Sequence, residues 1–375
     1  MFVLLVKSLT LEGASEGLAK FFLNPDWAKL KEPKVWYAAV VQSFFSLSLG
    51  FGTLMTYSSY SRFRHNSYRD TVIISVADTC TSILAGTIVF AILGHLKHEL
   101  GVENFDDVVK SGAGLAYISY PEVISKFEVA PQLFSVLFFL MLITLGFGSA
   151  TGLISCIVGV VCDVLPNIPR IVVTAIISFL GFLSGLLYVT PGGLALLDLV
   201  DGGASLLIIT LALVEILAIA WVYGGNNVLA DLSMMLNTKL GVYWKVCWTV
   251  IVPECLIFML FFQLYDYSPV TYNGTPLSTS YQALFWIIAL AGPVLLTGFF
   301  TAEMWKGFNR TDFRFSIQRA LKPSSKWGPR DTEDWRDWMN SRRQKILQKL
   351  ESFDALNTRN GTEMESLVPV IQTKD

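Results

Sequence analysis

Residues 44–52 of the chain read Phe-Phe-Ser-Leu-Ser-Leu-Gly-Phe-Gly, in the middle of an apolar stretch that runs from residue 35 to residue 60. Two hydroxyls and two glycines stand where a lipid-facing helix carries large apolar side chains. Such residues allow a helix to unwind, and the freed backbone groups must then line a cavity or be buried in protein, because lipid cannot satisfy them. The stretch predicts a broken membrane span, and close helix packing through small residues is the alternative.

Six further apolar runs surround this stretch, each about 20 residues or longer, which is the length that crosses a bilayer core. They are residues 71–96, 132–162, 171–190, 204–230, 244–265 and 281–304. Charged residues make up only 15% of the chain and its mean hydropathy is +0.52, whereas a soluble domain has roughly 25% charge. We therefore predict an all-α integral membrane protein of about seven transmembrane helices.

Composition also limits the function. The net charge is −2 and no basic stripe is present, which argues against nucleic-acid binding. The three histidines lie at span ends, so an enzymatic site is not expected. All five cysteines fall inside the apolar spans without the spacing of a metal site, and we interpret them as small buried apolar residues. A transporter or channel is favoured over a seven-helix receptor, because no loop cysteine is available for the extracellular disulfide usual in receptors.

Basic residues near the span ends predict the orientation. Arg62, Arg64 and Arg69 place the loop after the first span in the cytoplasm. Alternation then puts the acidic segments 97–131 and 191–203 outside, although the lysine-rich segment 1–34, also placed outside, conflicts with this assignment. The hairpin 266–280 carries a glycosylation acceptor at Asn273, which is usable only outside.

Three domains follow from this pattern. Residues 1–34 form the end of a helix plus an extracellular loop, residues 35–304 form the seven-span domain, and residues 305–375 form a cytoplasmic tail. The 97–131 loop is expected to fold back on the extracellular mouth as a lid. The tail contains a short amphipathic helix that either presents an interfacial or partner-binding face or packs on the transporter's own underside. Its apolar residues are Trp335, Trp338, Met339, Ile346, Leu350 and Phe353.

Three acids lie at membrane depth or at its edge. Asp78 lies within the second span, where a carboxylate needs a partner, and a coordinated cation is the natural one. Glu215 also needs a partner. An acid at such a position more often forms a structural bond to the backbone or to a neighbouring helix. Asp201 is either a solvated cap or half of a gating ion pair. In the third span, the small residues 146–152 form either a second oxygen-rich site or a packing face.

Residues 35–52 closely resemble the sixth helix of the neurotransmitter:sodium symporter family, solute carrier family 6. Residues 11–36, 138–146 and 211–224 resemble the loop before that helix, the eighth helix and the tenth helix. Ser48 and Leu49 are similar to the amino-acid carriers of the family, and the whole looks like an insect-type nutrient amino acid transporter. The resemblance extends to about Trp305.

This resemblance implies sodium-coupled symport of neutral amino acids by alternating access, in the plasma membrane. It places the first sodium ion at Ser46 and Asp78, and the second at the Leu145 carbonyl and Ser149. The substrate site would comprise Phe45, Ser46, Ser48, Phe51, Ser149 and Gly152, with Phe51 also acting as a lid. Chloride, as a further coupled ion, would bind at Gln42, Ser46 and Ser82. Asp201 matches an outer-gate acid, and Glu215 matches an acid of the tenth helix.

Two positions depart from the family pattern. Asp78 stands where most members have Asn, so we expect weaker chloride dependence and altered cation selectivity. Gly148 stands where many members have Asp or Thr, so the second sodium site would lose one side-chain oxygen.

The resemblance also implies a partial fold. The family has a five-plus-five inverted repeat, and this chain resembles only the part from the end of the fifth helix. We expect a truncated chain that does not transport alone. The first alternative is a non-transporting fragment or regulatory isoform that associates with a full-length homologue or with the missing amino-terminal helices. The second is the seven-helix receptor.

Overall fold

The computed structural model describes residues 1–102, 120–125, 130–272, 275–308, 327–329 and 331–344, together with residues 317, 321, 347 and 351. Helices dominate these ranges. They are α1 (Phe2–Leu9), α2 (Ala14–Leu18), α3 (Pro33–Ser46), α4 (Thr53–Ser59), α5 (Ser67–Leu100), α6 (Tyr120–Ser125), α7 (Pro131–Val164), α8 (Arg170–Tyr188), α9 (Gly193–Leu217), α10 (Gly225–Leu236), α11 (Val242–Val246), α12 (Val252–Tyr265) and α13 (Thr279–Phe308). The tail helix comprises residues 332–344.

Short irregular elements join some of these helices. π-Helical turns at Ala218–Gly224 and Cys247–Ile251 connect α9 to α10 and α11 to α12, so each pair forms one continuous rod. A further π turn, Ala19–Leu23, and a 3-10 turn, Trp27–Lys31, precede α3. Thr271–Tyr272 pairs antiparallel with Thr275–Pro276 in a two-residue ladder.

Six helical rods in the described residues are long and apolar enough to cross a membrane: Ser67–Leu100, Pro131–Val164, Arg170–Tyr188, Gly193–Leu236, Val242–Tyr265 and Thr279–Trp305. The seventh crossing is the pair α3 and α4, each of which is too short by itself. The predicted class, an all-α membrane protein of about seven spans with a broken first span, is confirmed.

The connection before the fifth span is shorter than the sequence predicts. Residues 191–203 do not form a turn, because α9 already begins at Gly193 and contains Asp198 and Asp201. Within α9, the glycine pair Gly202 and Gly203 lets α13 approach closely. A Cβ atom on Gly203 would lie 3.0 Å from the Phe285 carbonyl oxygen.

Packing within the chain is concentrated in two regions. Leu199 and Leu206 of α9 are buried against Phe285 and Ala289 of α13, and α12 covers the other side of α9. Separately, α1 and α2 lie on the end of α5 near His95. There Lys97 pairs with Glu16 at 3.0 Å.

Large parts of the apolar surface stay uncovered within the chain. The cysteines illustrate this. All five are free, but Cys80 and Cys255 are exposed on the surface of the chain, so the prediction that they are buried is wrong for these two. Their spans face outward because too few helices surround them here. A lipid environment or neighbouring helices are needed to cover such surfaces.

Candidate functional site

The first span is interrupted where the sequence predicts it. α3 ends at Ser46, and the amides of Ser48 and Leu49 donate to the carbonyls of Phe45 and Phe44 at 3.0 Å each. This pair of bonds is the Schellman arrangement that commonly ends a helix, in which a left-handed residue follows the last turn. Ser48 has φ +52° and takes the place usually occupied by glycine. The helix is therefore actively terminated at this point.

Glycine keeps the six residues between the two half-helices in a non-helical conformation. Gly50 and Gly52 both have φ +76°, a region that side-chain-bearing residues rarely adopt. Over the described residues, the amides of Gly50 and Phe51 donate to no backbone carbonyl. Exposed peptide groups at this depth are the main-chain dipoles that a transport site uses for an ion or a carboxylate.

The predicted partner of the break comes from the second span. The Ser46 hydroxyl donates a hydrogen bond to Oδ1 of Asp78 on α5, across 32 positions of sequence. A carboxylate accepting from a hydroxyl is a charge-assisted bond, stronger than its neutral equivalent. Two oxygen-bearing side chains thus meet at the end of a helix, where its carbonyls also carry partial negative charge. This combination suits a hard cation such as sodium.

The cation site is incomplete within the described part of the chain. No group of three or more His, Cys, Asp or Glu residues is found there that could hold a metal ion. A sodium ion would therefore need further oxygen atoms, either backbone carbonyls near Ser46 or groups from elsewhere.

The aromatic residues of the break also converge. The rings of Phe45 and Phe51 lie 5.5 Å apart with an interplanar angle of 66°, an edge-to-face pair. Both border a small cavity of about 20 Å³ between α3, α9 and α12. Its other lining residues are Tyr37, Val41, Phe44, Leu49, Ser205, Ile208, Ile209 and Met259. The lining is almost entirely apolar, which suits an uncharged side chain.

The second half-helix, α4, is fixed to α7 by a close contact. A Cβ atom on Gly152 would lie 2.9 Å from Cγ2 of Thr53, so only glycine lets the two helices approach this far. Thr53 is buried, and its hydroxyl has no hydrogen-bond partner within the described residues. Gly152 is therefore a packing residue next to the break. For this residue, the packing face is the fitting one of the two interpretations given for residues 146–152.

Other predicted site residues are not brought together within this chain. Gln42, Ser82 and Ser149 are exposed, and Leu145 keeps 55% of its surface free. Added Cβ atoms on Gly146 and Gly148 would meet no atom within 4 Å. The face of α7 that carries the predicted second sodium site is therefore open. The predicted chloride residues lie on α3 and α5 without a mutual hydrogen bond in the part of the chain described.

The two remaining acids also face outward. Asp201 lies within α9, and both Asp201 and Glu215 are exposed on the surface of the chain. The partner expected for Glu215 is not found among the residues described. The predicted glycosylation acceptor Asn273 and most of the predicted lid, residues 103–119 and 126–129, lie outside the described residues.

One polar cluster was missed by the sequence analysis. At the α4 end of the bundle, Asp231 of α10 accepts hydrogen bonds from Tyr223, from Trp338 Nε1 at 3.0 Å and from Arg342 at 3.3 Å. The tail helix therefore packs on the chain itself through Trp338. The available signal was that Asp231 is an acid beside a long apolar run. Its partner Arg342 lies 111 residues away in the sequence, so no local pattern connects them.

Comparisons with known proteins agree with this geometry. The chain matches the sodium:neurotransmitter symporter family over residues 1–306. It is similar to proteins named sodium-dependent nutrient amino acid transporter 1. The Drosophila yakuba protein is 42% identical over 358 residues, covering 93% of this chain and 54% of the relative. The Drosophila virilis protein is 43% identical over 343 residues, covering 90% and 53%. The chain thus spans about half the length of the curated relatives it matches.

Proposed function

Because the chain belongs to the sodium:neurotransmitter symporter family, we propose that it forms part of a symporter that couples sodium entry to the uptake of neutral amino acids by alternating access. The observation that carries this proposal is the break at residues 47–52, with Ser46 bonded to Asp78 beside it. A continuous helix would offer neither free peptide groups nor a polar contact at this depth.

Sodium is proposed to bind beside Ser46 and Asp78. A sodium ion there would take the Asp78 carboxylate as a ligand and would break or share its hydrogen bond with the Ser46 hydroxyl. The charge of Asp78, which is half-buried in the chain, would then be balanced by the ion, and this offsets the cost of holding a carboxylate within the membrane. Without the ion, the hydroxyl bond partly satisfies the acid. Leu145 and Ser149 on α7 are the proposed ligands of a second ion.

The substrate is proposed to lie against the break. Its carboxylate would meet the free amides of Gly50 and Phe51, and its side chain would contact the rings of Phe45 and Phe51. Ser48, Ser149 and Gly152 complete the substrate site that the family resemblance implies, and they lie outside the lining of the pocket beside Phe45 and Phe51. The pocket lining holds no basic or acidic side chain, which favours neutral amino acids over charged ones. The names of the Drosophila relatives support an amino-acid substrate.

Chloride is proposed as a further coupled ion at Gln42, Ser46 and Ser82, with a weakened role. The fixed charge of Asp78 lies next to Ser46 and would repel a halide there. We also propose a plasma-membrane location with the tail in the cytoplasm, the lipid bilayer as the solvent of the spans, and glycan addition at Asn273. No chemical catalysis is part of this function.

A second candidate is a regulatory role without transport. The observation that favours it is the open face of α7, where no described residue covers Gly146 or Gly148. Such a face could associate with a full-length homologue. The seven-helix receptor is less favoured because the chain belongs to a transporter family.

Uptake of radiolabelled amino acids by cells that express residues 1–375 tests the proposal. Sodium-dependent uptake that disappears in Ser46→Ala, while Ser43→Ala retains it, would support the transporter. Ser43 lies on the same half-helix and bonds only the carbonyl of Ala39, at 3.0 Å. Absent uptake, with altered uptake by a co-expressed full-length homologue, would favour the regulatory role instead. No effect in either assay would count against both.

A further inference from the structure

Two neighbouring spans, the α9–α10 rod and the α11–α12 rod, are irregular at the same level of the bundle. Each contains a π turn, at Ala218–Gly224 in the first and at Cys247–Ile251 in the second. These two turns lie against each other. A π turn disturbs the regular ladder of backbone bonds, and such turns are frequent at functional sites in helices.

A proline explains the irregularity of the α11–α12 rod. Pro253 lies in the first turn of α12 and has no amide hydrogen, so it cannot donate to the carbonyl of Thr249, its acceptor in a regular helix. Trp221 of the neighbouring turn supplies a donor instead, because its Nε1 donates to that carbonyl at 2.9 Å. The Trp221 side chain is 63% exposed on the surface of the chain, where lipid would offer its N–H no acceptor. One bond therefore satisfies two groups that lipid cannot satisfy.

The α9–α10 rod is interrupted by glycine. Gly224 has φ +98°, a conformation that side-chain-bearing residues rarely adopt. Beside it, Nδ2 of Asn227 donates to the Tyr223 carbonyl at 2.7 Å, so a side chain caps a backbone carbonyl in this turn as well. The rods also approach closely here, since a Cβ atom on Gly225 would lie 3.0 Å from Cγ2 of Thr249.

We propose that the two π turns work as one hinge and that the indole of Trp221 couples them. A change of conformation at Gly224 is transmitted through the indole to the Thr249 carbonyl, so the two rods bend together. If one rod bent without the other, the bond would break and leave an N–H and a carbonyl unpaired in lipid, which is strongly unfavourable.

This inference goes beyond the proposed transport function, because it concerns how two spans move and does not depend on what is carried. Trp221 lies outside the proposed ion and substrate sites, so it is a positioning residue. Its rod begins with α9, which carries the predicted gate acid Asp201. The hinge therefore links movement of that span to movement of the α11–α12 rod.

Hydrogen–deuterium exchange of the full chain in detergent micelles tests the bond. Trp221→Phe keeps an aromatic ring and removes the donor. We expect amide exchange in residues 247–254 to rise about fivefold, the factor that corresponds to the loss of one hydrogen bond. Trp248→Phe is the matched control, because Trp248 lies in the π turn itself and its indole forms no hydrogen bond within the described residues. Equal rises in the two variants would overturn the role of the bond.

A substitution at the proline separates this bond from mere packing of the ring. Pro253→Ala adds a backbone amide that can donate to the Thr249 carbonyl. In that background, Trp221→Phe should leave exchange in residues 247–254 unchanged, because the amide replaces the indole. The same rise in both backgrounds would overturn the proposal, since Trp221 would then act through packing alone. The measurement does not require transport, so a negative uptake assay would not bear on it.

A further pair of variants tests the coupling between the turns. Gly224→Ala strains the turn of the α9–α10 rod, and exchange in residues 247–254 should rise at least about twofold when Trp221 is present. The rise should vanish in the Trp221→Phe background. Asn227→Ala, which removes the bond to the Tyr223 carbonyl, is a milder change of the same turn if Gly224→Ala folds poorly. Transmission that is absent with Trp221 present, or equally strong without it, would overturn the coupled hinge.

Discussion

Gly50→Ala should destabilise the protein, because glycine at this position takes a backbone conformation that alanine rarely adopts. Gly50 lies in the interrupted segment with φ +76°, and a Cβ atom there would lie 2.8 Å from Cγ2 of Ile208 on α9. Two separate costs therefore arise from adding one methyl group. The first is conformational, and the second is a collision with a side chain on a packed helix.

The magnitude follows from adding these costs. An alanine in the left-handed region costs about 1–2 kcal/mol relative to its ordinary conformations. Relief of a contact at 2.8 Å requires Ile208 or the backbone to shift, and overpacking of this kind costs about 1–3 kcal/mol. The expected loss in free energy of unfolding is about 2–5 kcal/mol, unless the segment abandons its open conformation altogether.

The assay is reversible unfolding of the purified chain in mixed detergent micelles, with helicity followed by circular dichroism. Gly148→Ala is the matched control, because Gly148 lies inside α7 with no atom within 4 Å of an added Cβ. Alanine should stabilise that helix by up to about 1 kcal/mol. Equal unfolding free energies for the two variants would refute the reasoning, since they would place Gly50 in an ordinary helix.

Three other substitutions test separate parts of the structure. In a full-length context, Asp78→Asn should strengthen the chloride dependence and change the cation selectivity of amino-acid uptake, measured by exchanging sodium and chloride for other ions. Unchanged chloride dependence and unchanged cation selectivity would contradict the proposed site. Gly17→Ala should destabilise the chain by about 3 kcal/mol, because its Cβ atom would lie 1.9 Å from the Phe90 carbonyl oxygen; a thermal midpoint equal to wild type would exclude that contact. Trp221→Phe should cost about 1 kcal/mol through loss of the 2.9 Å bond to the Thr249 carbonyl. A loss no larger than that of Trp27→Phe, at an exposed tryptophan whose indole has no hydrogen bond among the described residues, would show that the bond contributes nothing.

The break in the first span was predictable because its cause is local. Serine and glycine residues at mid-membrane depth lower the cost of leaving the helix, and the left-handed conformations of Gly50 and Gly52 are those that glycine adopts without strain. The contact between Ser46 and Asp78 was expected for two reasons. The family resemblance places both residues at one sodium site, and a carboxylate within a membrane span needs a partner. Neither required knowledge of the wider packing.

Other features depend on contacts that local pattern does not encode. The acidic segment 191–203 was predicted to connect two spans, yet α9 already begins at Gly193, and Gly202 and Gly203 lie inside it where α13 packs closely. The π turn at Ala218–Gly224 gives no clear composition signal, and it contains Tyr223, whose hydroxyl accepts a hydrogen bond from Trp327 at 3.2 Å. Asp231 and Arg342 were not connected by sequence spacing, since tertiary packing alone brings them together.

Solid-state NMR of the chain in lipid bilayers, with labels at residues 44–53 and at Asp78, tests the central claim most directly. The account predicts helical shifts up to Ser46, non-helical shifts with positive φ at Ser48, Gly50 and Gly52, and a cross-peak between Ser46 and Asp78. Helical shifts running without interruption through Gly52, with no contact to Asp78, would contradict it.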